Sequence, residues 1–158
     1  MAEAPNKNIP GAAFPYLDLN RSWLVTIALA VGIAYYLAAR LGVALTSHAG
    51  LAFSWPAAGI ATGALILLGP AARLSVAIGV AFGSIACSLM VGRSPWLAAT
   101  FVVPNAGEVL LTAWLVERWF GAAFKLEEVA QVLGFLVASA IAVALGATGA
   151  AIAHRARL

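Results

Sequence analysis

The feature that most constrains this chain is an apolar run, residues 96–119, with an indole at each end (Trp96 and Trp119) and a carboxylate, Glu108, near its centre. At about 1.5 Å per residue a helix over this run measures roughly 36 Å, enough to cross the ~30 Å hydrocarbon core of a bilayer. Amphipathic indoles sit at headgroup depth, so Glu108 falls roughly 17–18 Å from either end, close to the midplane. An acidic side chain there costs about 2.5–3.5 kcal/mol on insertion scales, so it is expected to face the protein interior with a partner or a proton. Asn105 and Thr112 stand one turn before and after it. Helical spacing therefore predicts one interior face holding Asn105, Glu108, Leu111 and Thr112, with Val109 pointing elsewhere. In this arrangement Asn105 can accept the acid's proton through its side-chain oxygen. Pro104 removes a backbone donor, frees the carbonyl of Thr100 and is expected to kink the helix beside the carboxylate.

The rest of the chain has the same character. Of its 158 residues 63% are hydrophobic and 9% charged, with a mean hydropathy of +0.98. The predicted class is all-α, a polytopic transmembrane helix bundle of about five spans. The net charge of +3 is spread over span ends and tails, which makes it a topology signal and not a nucleic-acid surface. The single cysteine, Cys87, lies in an apolar segment. It reads as a small core residue, and neither a disulfide framework nor a zinc cluster can be built from it.

Two regions are expected. Residues 1–20 form a polar, proline-punctuated cytoplasmic tail without the apolar core and small-residue site of a removable signal peptide. Residues 21–158 form the transmembrane domain. Its spans are predicted at about 23–46, from the opening stretch 53–59 to about 69, from after Arg73 to about 91, at 96–119 and at about 129–153, with a charged loop from Glu117 to Glu128. Pro56 fits the first turn of the second span, where its missing donor would be unpaired anyway. Small residues recur at four-residue spacing in Ala38/Gly42, Gly59/Gly63, Gly79/Gly83 and Ala142/Gly146/Ala150. Such seams let helix backbones approach closely, and Gly59, Gly63, Gly79 and Gly83 are the expected packing positions.

The lysine and arginine distribution gives the orientation. An inside N-terminus places Lys7, Arg21, Arg73, Arg118 and Lys125 in the cytoplasm and leaves Arg40, Arg93, Arg155 and Arg157 toward the outside. The excess favours that orientation. An odd number of spans then puts the C-terminus outside, ending on two arginines, which leads to the expectation that the chain is a fragment of a longer protein.

Three stretches carry a family resemblance. They are Tyr35-Tyr36-Leu37-Ala38-Ala39-Arg40-Leu41-Gly42, then Phe53-Ser54-Trp55-Pro56-Ala57-Ala58-Gly59-Ile60, then Asn105-x-x-Glu108 followed by Trp114, Arg118 and Trp119. In this order they resemble the type-1 membrane-associated sensor (MASE) domain family, over roughly residues 22–153. The resemblance implies a multi-pass input module in the bacterial inner membrane. Such modules precede histidine kinase, diguanylate cyclase or phosphodiesterase domains. The chain departs from the family in having fewer spans and no output domain after them.

Each candidate residue has two readings. Glu108 is either a structural hydrogen-bonder between spans or a carboxylate that senses a proton or ligand, with a substrate path as a third use. Arg40 either snorkels to the headgroups or turns inward as an acid's partner. Trp23 and Trp55 are interfacial anchors or part of a ligand cavity, and Trp55, Pro56 and Gly59 are further candidates for ligand or proton sensing. His48 and His154 end two spans on one side. They are weak candidates for ligating haem iron or a pigment metal and otherwise sit among headgroups. No nucleophile-base set, phosphate loop or metal-spaced cluster stands in the sequence, so no enzyme is expected, and no cofactor is implied. The expected partners are the lipid bilayer and further membrane subunits or copies of the same chain, with no nucleic acid. The competing reading is a small scaffold or transport subunit with Glu108 as proton relay.

Overall fold

A computed structural model describes residues 20–49, 56–121, 124 and 128–155, of which 46–49, 150 and 152–155 are described by their backbone alone. Five α-helices and no strand occur among the described residues. They are α1 (Arg21–Ala49), α2 (Pro56–Leu68), α3 (Arg73–Met90), α4 (Pro95–Phe120) and α5 (Val129–Arg155), with a short 3-10 turn, Pro70–Ala72, between α2 and α3. Helices α1, α3, α4 and α5 are long and apolar enough to cross a membrane. The chain is an all-α membrane protein.

The helix ends follow local chemistry. Ser94 Oγ accepts the Leu97 N–H at 3.3 Å and Pro95 occupies the first turn of α4, where no donor is missed. Gly121 stops the same helix at φ +71°, in the region open to a residue without Cβ, and its N–H bonds the Glu117 carbonyl. The charged loop expected from Glu117 therefore starts later. Glu117 and Arg118 belong to the last turn of α4, and Glu117 is held there by an ion pair with Arg73 at the start of α3.

The relative directions of the helices fix the path of the chain. Gly79 lies against Ala28 and Gly32, and Gly83 against Gly32 and Tyr35, so α1 and α3 run parallel. Helices α3 and α4 are antiparallel. Arg73 meets Glu117 at one end, Ser84 meets Asn105 midway, and Arg93 sits over the Phe101 ring, 4.7 Å from its centroid, at the other. Phe120 beside Gly134 and Pro104 beside Gly146 make α4 and α5 antiparallel as well. Because α1 and α3 are parallel, the chain between them must return the length of the bundle, and α2 lies in that return. With 13 residues, α2 is only about 20 Å long. The start of α1 and the end of α5 thus lie at opposite ends of the bundle.

The core sits where α1, α2, α3 and α4 meet, around Tyr35, Ala57, Ala61, Val76, Val80 and Val109. Helix α3 is the most enclosed. Its buried positions, Ser75/Val76, Gly79/Val80, Gly83/Ser84 and Cys87/Ser88, recur every four residues, which gives one stripe to α1 and an adjoining one to α4. Among the described residues no buried side-chain nitrogen or oxygen lacks a partner. Helix α5 is the least enclosed. Of its described side chains Ala138 and Ala142 are fully buried, while Leu133, Leu136, Val137 and Leu145 face outward, as a lipid-facing surface requires.

The four glycines expected to pack do not behave alike. A Cβ on Gly79 would lie 2.6 Å from the Ala28 carbonyl oxygen, and one on Gly83 would lie 2.7 Å from that of Gly32. Those two positions touch backbone. A Cβ on Gly59 or Gly63 would meet nothing within 4 Å, so these positions form no close crossing with the described helices. The reason is rotational: α2 buries Ala57, Ala58, Ala61, Thr62 and Leu65 instead, and the glycine stripe points away from that face. The α1 partner of α3 is Gly32, with Ala28 one turn before it.

Candidate functional site

Helix α4 has neighbours on two sides. One arc buries Ala98, Val109, Thr112, Ala113 and Val116. Asn105 belongs to this side, and its Nδ2 donates to Ser84 Oγ of α3 at 2.7 Å. A second arc, carrying Pro104, Gly107 and Leu111, faces α5. Glu108 falls at the edge of the second arc, half-buried. The single interior face expected from the sequence is therefore two. Val109 is in the core, 1% exposed, and Asn105 is bonded to another helix instead of the carboxyl group. A helix enclosed by neighbours on both sides buries residues that a one-sided helical pattern would leave outside.

Between α4 and α5 a cleft of about 450 Å³ opens beside Glu108. On α4 it runs from Thr100 to Leu111, and on α5 from Ala142 to Gly149. Small residues make the space: Gly107, Ala142, Gly146 and Gly149 contribute little or no side chain. Pro104 stands at its centre, with its carbonyl oxygen 3.6 Å from where a Cβ on Gly146 would be. Val103 and Leu145, 75% and 59% exposed, flank the cleft and leave it open to the outer surface of the bundle.

The far end of the α4–α5 pair is closed differently. Phe120, Phe124 and Phe135 stack in sequence, with ring centroids 5.7 Å and 6.4 Å apart. The Phe120 ring rests on Gly134, occupying the space a side chain would need. The aromatic cluster joins the two helices at the Phe120 end, and the cleft lies between Thr100 and Leu111, where Pro104 comes close to Gly146.

The electrostatics of the cleft are simple. Among the described residues the Glu108 carboxyl makes no hydrogen bond and no ion pair. The Thr100 hydroxyl is committed to its own helix, donating to the Leu97 carbonyl at 2.8 Å. Among the described residues no lysine or arginine lines the space. Arg40 is exposed on α1 and is not brought to Glu108. Arg73 is engaged with Glu117.

The structure thus separates the residues singled out in the sequence. Glu108 and Asn105 lie on different arcs of one helix, and Pro56 and Gly59 lie on α2 outside the cleft. Trp55 falls outside the described residues, as do the side chains of His48 and His154. Among the described residues no three His, Cys, Asp or Glu come together as a metal site would need. Thr100, Gly107 and Gly149 were not anticipated. Gly146 and Ala142 were visible as a seam, but a seam of small residues gives no sign that the space beside it stays open. No family model, no curated protein and no solved structure matches the chain.

Proposed function

We propose that this bundle is a sensory input module of a bacterial signalling protein, set in the inner membrane. Its stimulus is read at the Glu108 cleft and passed on by displacement of α5 against α4. The observation that carries the reading is a carboxyl group with no partner among the described residues, in a cleft between two helices that an aromatic cluster joins beyond one end of it. Anything that pairs with or neutralises Glu108 acts on the part of the α4–α5 contact away from that cluster, and on this reading the local charge event biases the position of α5. The order of the Arg40, Trp55-Pro56 and Asn105/Glu108 stretches, similar to that of the sensor domain family, supports the same reading. On it, a cytoplasmic output domain, a histidine kinase or a cyclic-di-GMP enzyme, belongs to the intact protein, and copies of the chain pair in the membrane.

A proton or cation conduit is the competing use of a midplane acid. The cleft does not favour it: a path needs openings toward both sides, and here the aromatic stack fills the Phe120 end. Spin labels at Ser94→Cys and Ala151→Cys, in a Cys87→Ser background, report the separation of the free ends of α4 and α5. Glu108→Gln is expected to shift that distance distribution, and proteoliposomes are expected to show no proton flux that depends on Glu108. An unshifted distribution, or flux that Glu108→Gln abolishes, would overturn the reading.

A further inference from the structure

The shape and charge of the cleft name a class of ligand. Its volume of about 450 Å³ falls within the roughly 300–1,000 Å³ of small-molecule sites. Its walls are apolar or lack side chains, through Val103, Leu111, Leu145 and the three glycines. Among the described residues its polar content is one carboxyl group without a partner and one hydroxyl whose hydrogen is already donated. An occupant must therefore be apolar over most of its surface and bring its own hydrogen-bond donor to a single point. It must also reach the site through the bilayer, past exposed Val103 and Leu145.

We infer that the α4–α5 cleft binds a hydrophobic ammonium compound, a compact apolar body carrying one protonated amine that pairs with Glu108. The carboxylate gains the counter-charge that the protein does not supply, in a medium where an unpaired charge is disfavoured by several kcal/mol. The body of the ligand fills space that a leucine-sized side chain would otherwise take. A neutral alcohol of the same shape fills the same space but leaves the carboxyl without a counter-charge, and binds less well. This inference rests on the sensory reading for its purpose but not for its test.

The test uses tritiated adamantan-1-amine and adamantan-1-ol, two compounds with one apolar body and different head groups. Binding is measured by equilibrium dialysis against the chain in lipid nanodiscs, with empty nanodiscs subtracting partition into the bilayer. The amine is expected to bind saturably, one per chain, and at least about tenfold more tightly than the alcohol. Glu108→Gln keeps the shape of the side chain and should weaken the amine by about the same factor. Gly149→Leu fills the cleft where a Cβ meets nothing within 4 Å, and should exclude both compounds while the helical circular dichroism stays unchanged. Amine binding no greater than in empty discs, equal in Glu108→Gln, or equal to the alcohol's would overturn the inference. The spin-label distance judges the sensory reading separately. If Glu108→Gln moves α5 but the amine does not bind, the ligand class falls and sensing stands; Glu108-dependent binding with no movement gives the reverse.

Discussion

Helices α1 and α3 meet backbone to backbone, and α4 and α5 meet beside a cleft, although glycine lines both contacts. At the first, Gly79 and Gly83 are filled by the carbonyls of Ala28 and Gly32. At the second, Gly107 and Gly149 face open space, and a carboxyl group stands beside them without a partner. Absence of a side chain allows close approach in one place and leaves room for something else in the other. The α1–α3 pair is thus the closely packed part of the bundle, and on the proposed sensory reading the α4–α5 pair is the part that changes. Within a membrane that difference is large, because helices there are held by packing and hydrogen bonds and not by exclusion of water.

The sharpest way to break the comparison is to put one side chain into both places. Gly83→Leu drives atoms into the Gly32 carbonyl and the Tyr35 ring, and displacing a backbone is expensive. A loss of more than about 3 kcal/mol is expected, read as a lowered melting temperature in detergent. The same substitution at Gly149 should change stability by less than about 0.5 kcal/mol, since nothing there is displaced. Equal melting of the two variants would show that the α1–α3 contact is not tight.

Polar contacts give intermediate effects. Asn105→Leu removes the donor to Ser84, a buried serine 3% exposed, and should cost about 1 kcal/mol in the same melts. Gly134→Ala pushes on the far edge of the Phe120 ring, which can swing aside. It should cost about 1 kcal/mol or less and should widen the spin-label distances at the free ends if the aromatic stack is the pin. The Arg73–Glu117 pair is the weakest of these. Both side chains are about two-fifths exposed, so Arg73→Gln should cost less than about 1 kcal/mol, and that cost should vanish at high salt. A salt-independent loss would place the pair in a drier setting than its exposure indicates.

How much of this could be read in the sequence depends on the element. Helices α1, α3, α4 and α5 were legible because each is a long apolar run, bounded by proline, glycine or tryptophan in the first three and by charged residues in α5. The place of Glu108 near the middle of α4 was legible because tryptophans bracket it. Which way Asn105 points was not. Three residues place Asn105 and Glu108 about 60° apart around a helix, close enough to share one neighbour or to face two. The choice was made by Ser84, far away in sequence. The Gly59/Gly63 and Gly79/Gly83 pairs have the same spacing and opposite fates, because spacing says that a face is smooth and not what lies against it. Gly32 was overlooked in favour of Gly42, though Ala28-x-x-x-Gly32 shows the same small-residue spacing as Ala38-x-x-x-Gly42. The cleft had no signature at all, since a gap is a property of two helices and their separation.

The most direct test of the account asks which residues Glu108 feels. The infrared carboxyl absorption that Glu108→Gln removes identifies this group in reconstituted protein. If Glu108 faces the α4–α5 cleft, Gly149→Leu should move that absorption by changing the group's surroundings, and Asn105→Leu should leave it in place. An absorption that moves with Asn105→Leu and ignores Gly149→Leu would put Glu108 on the α3 side and contradict the account.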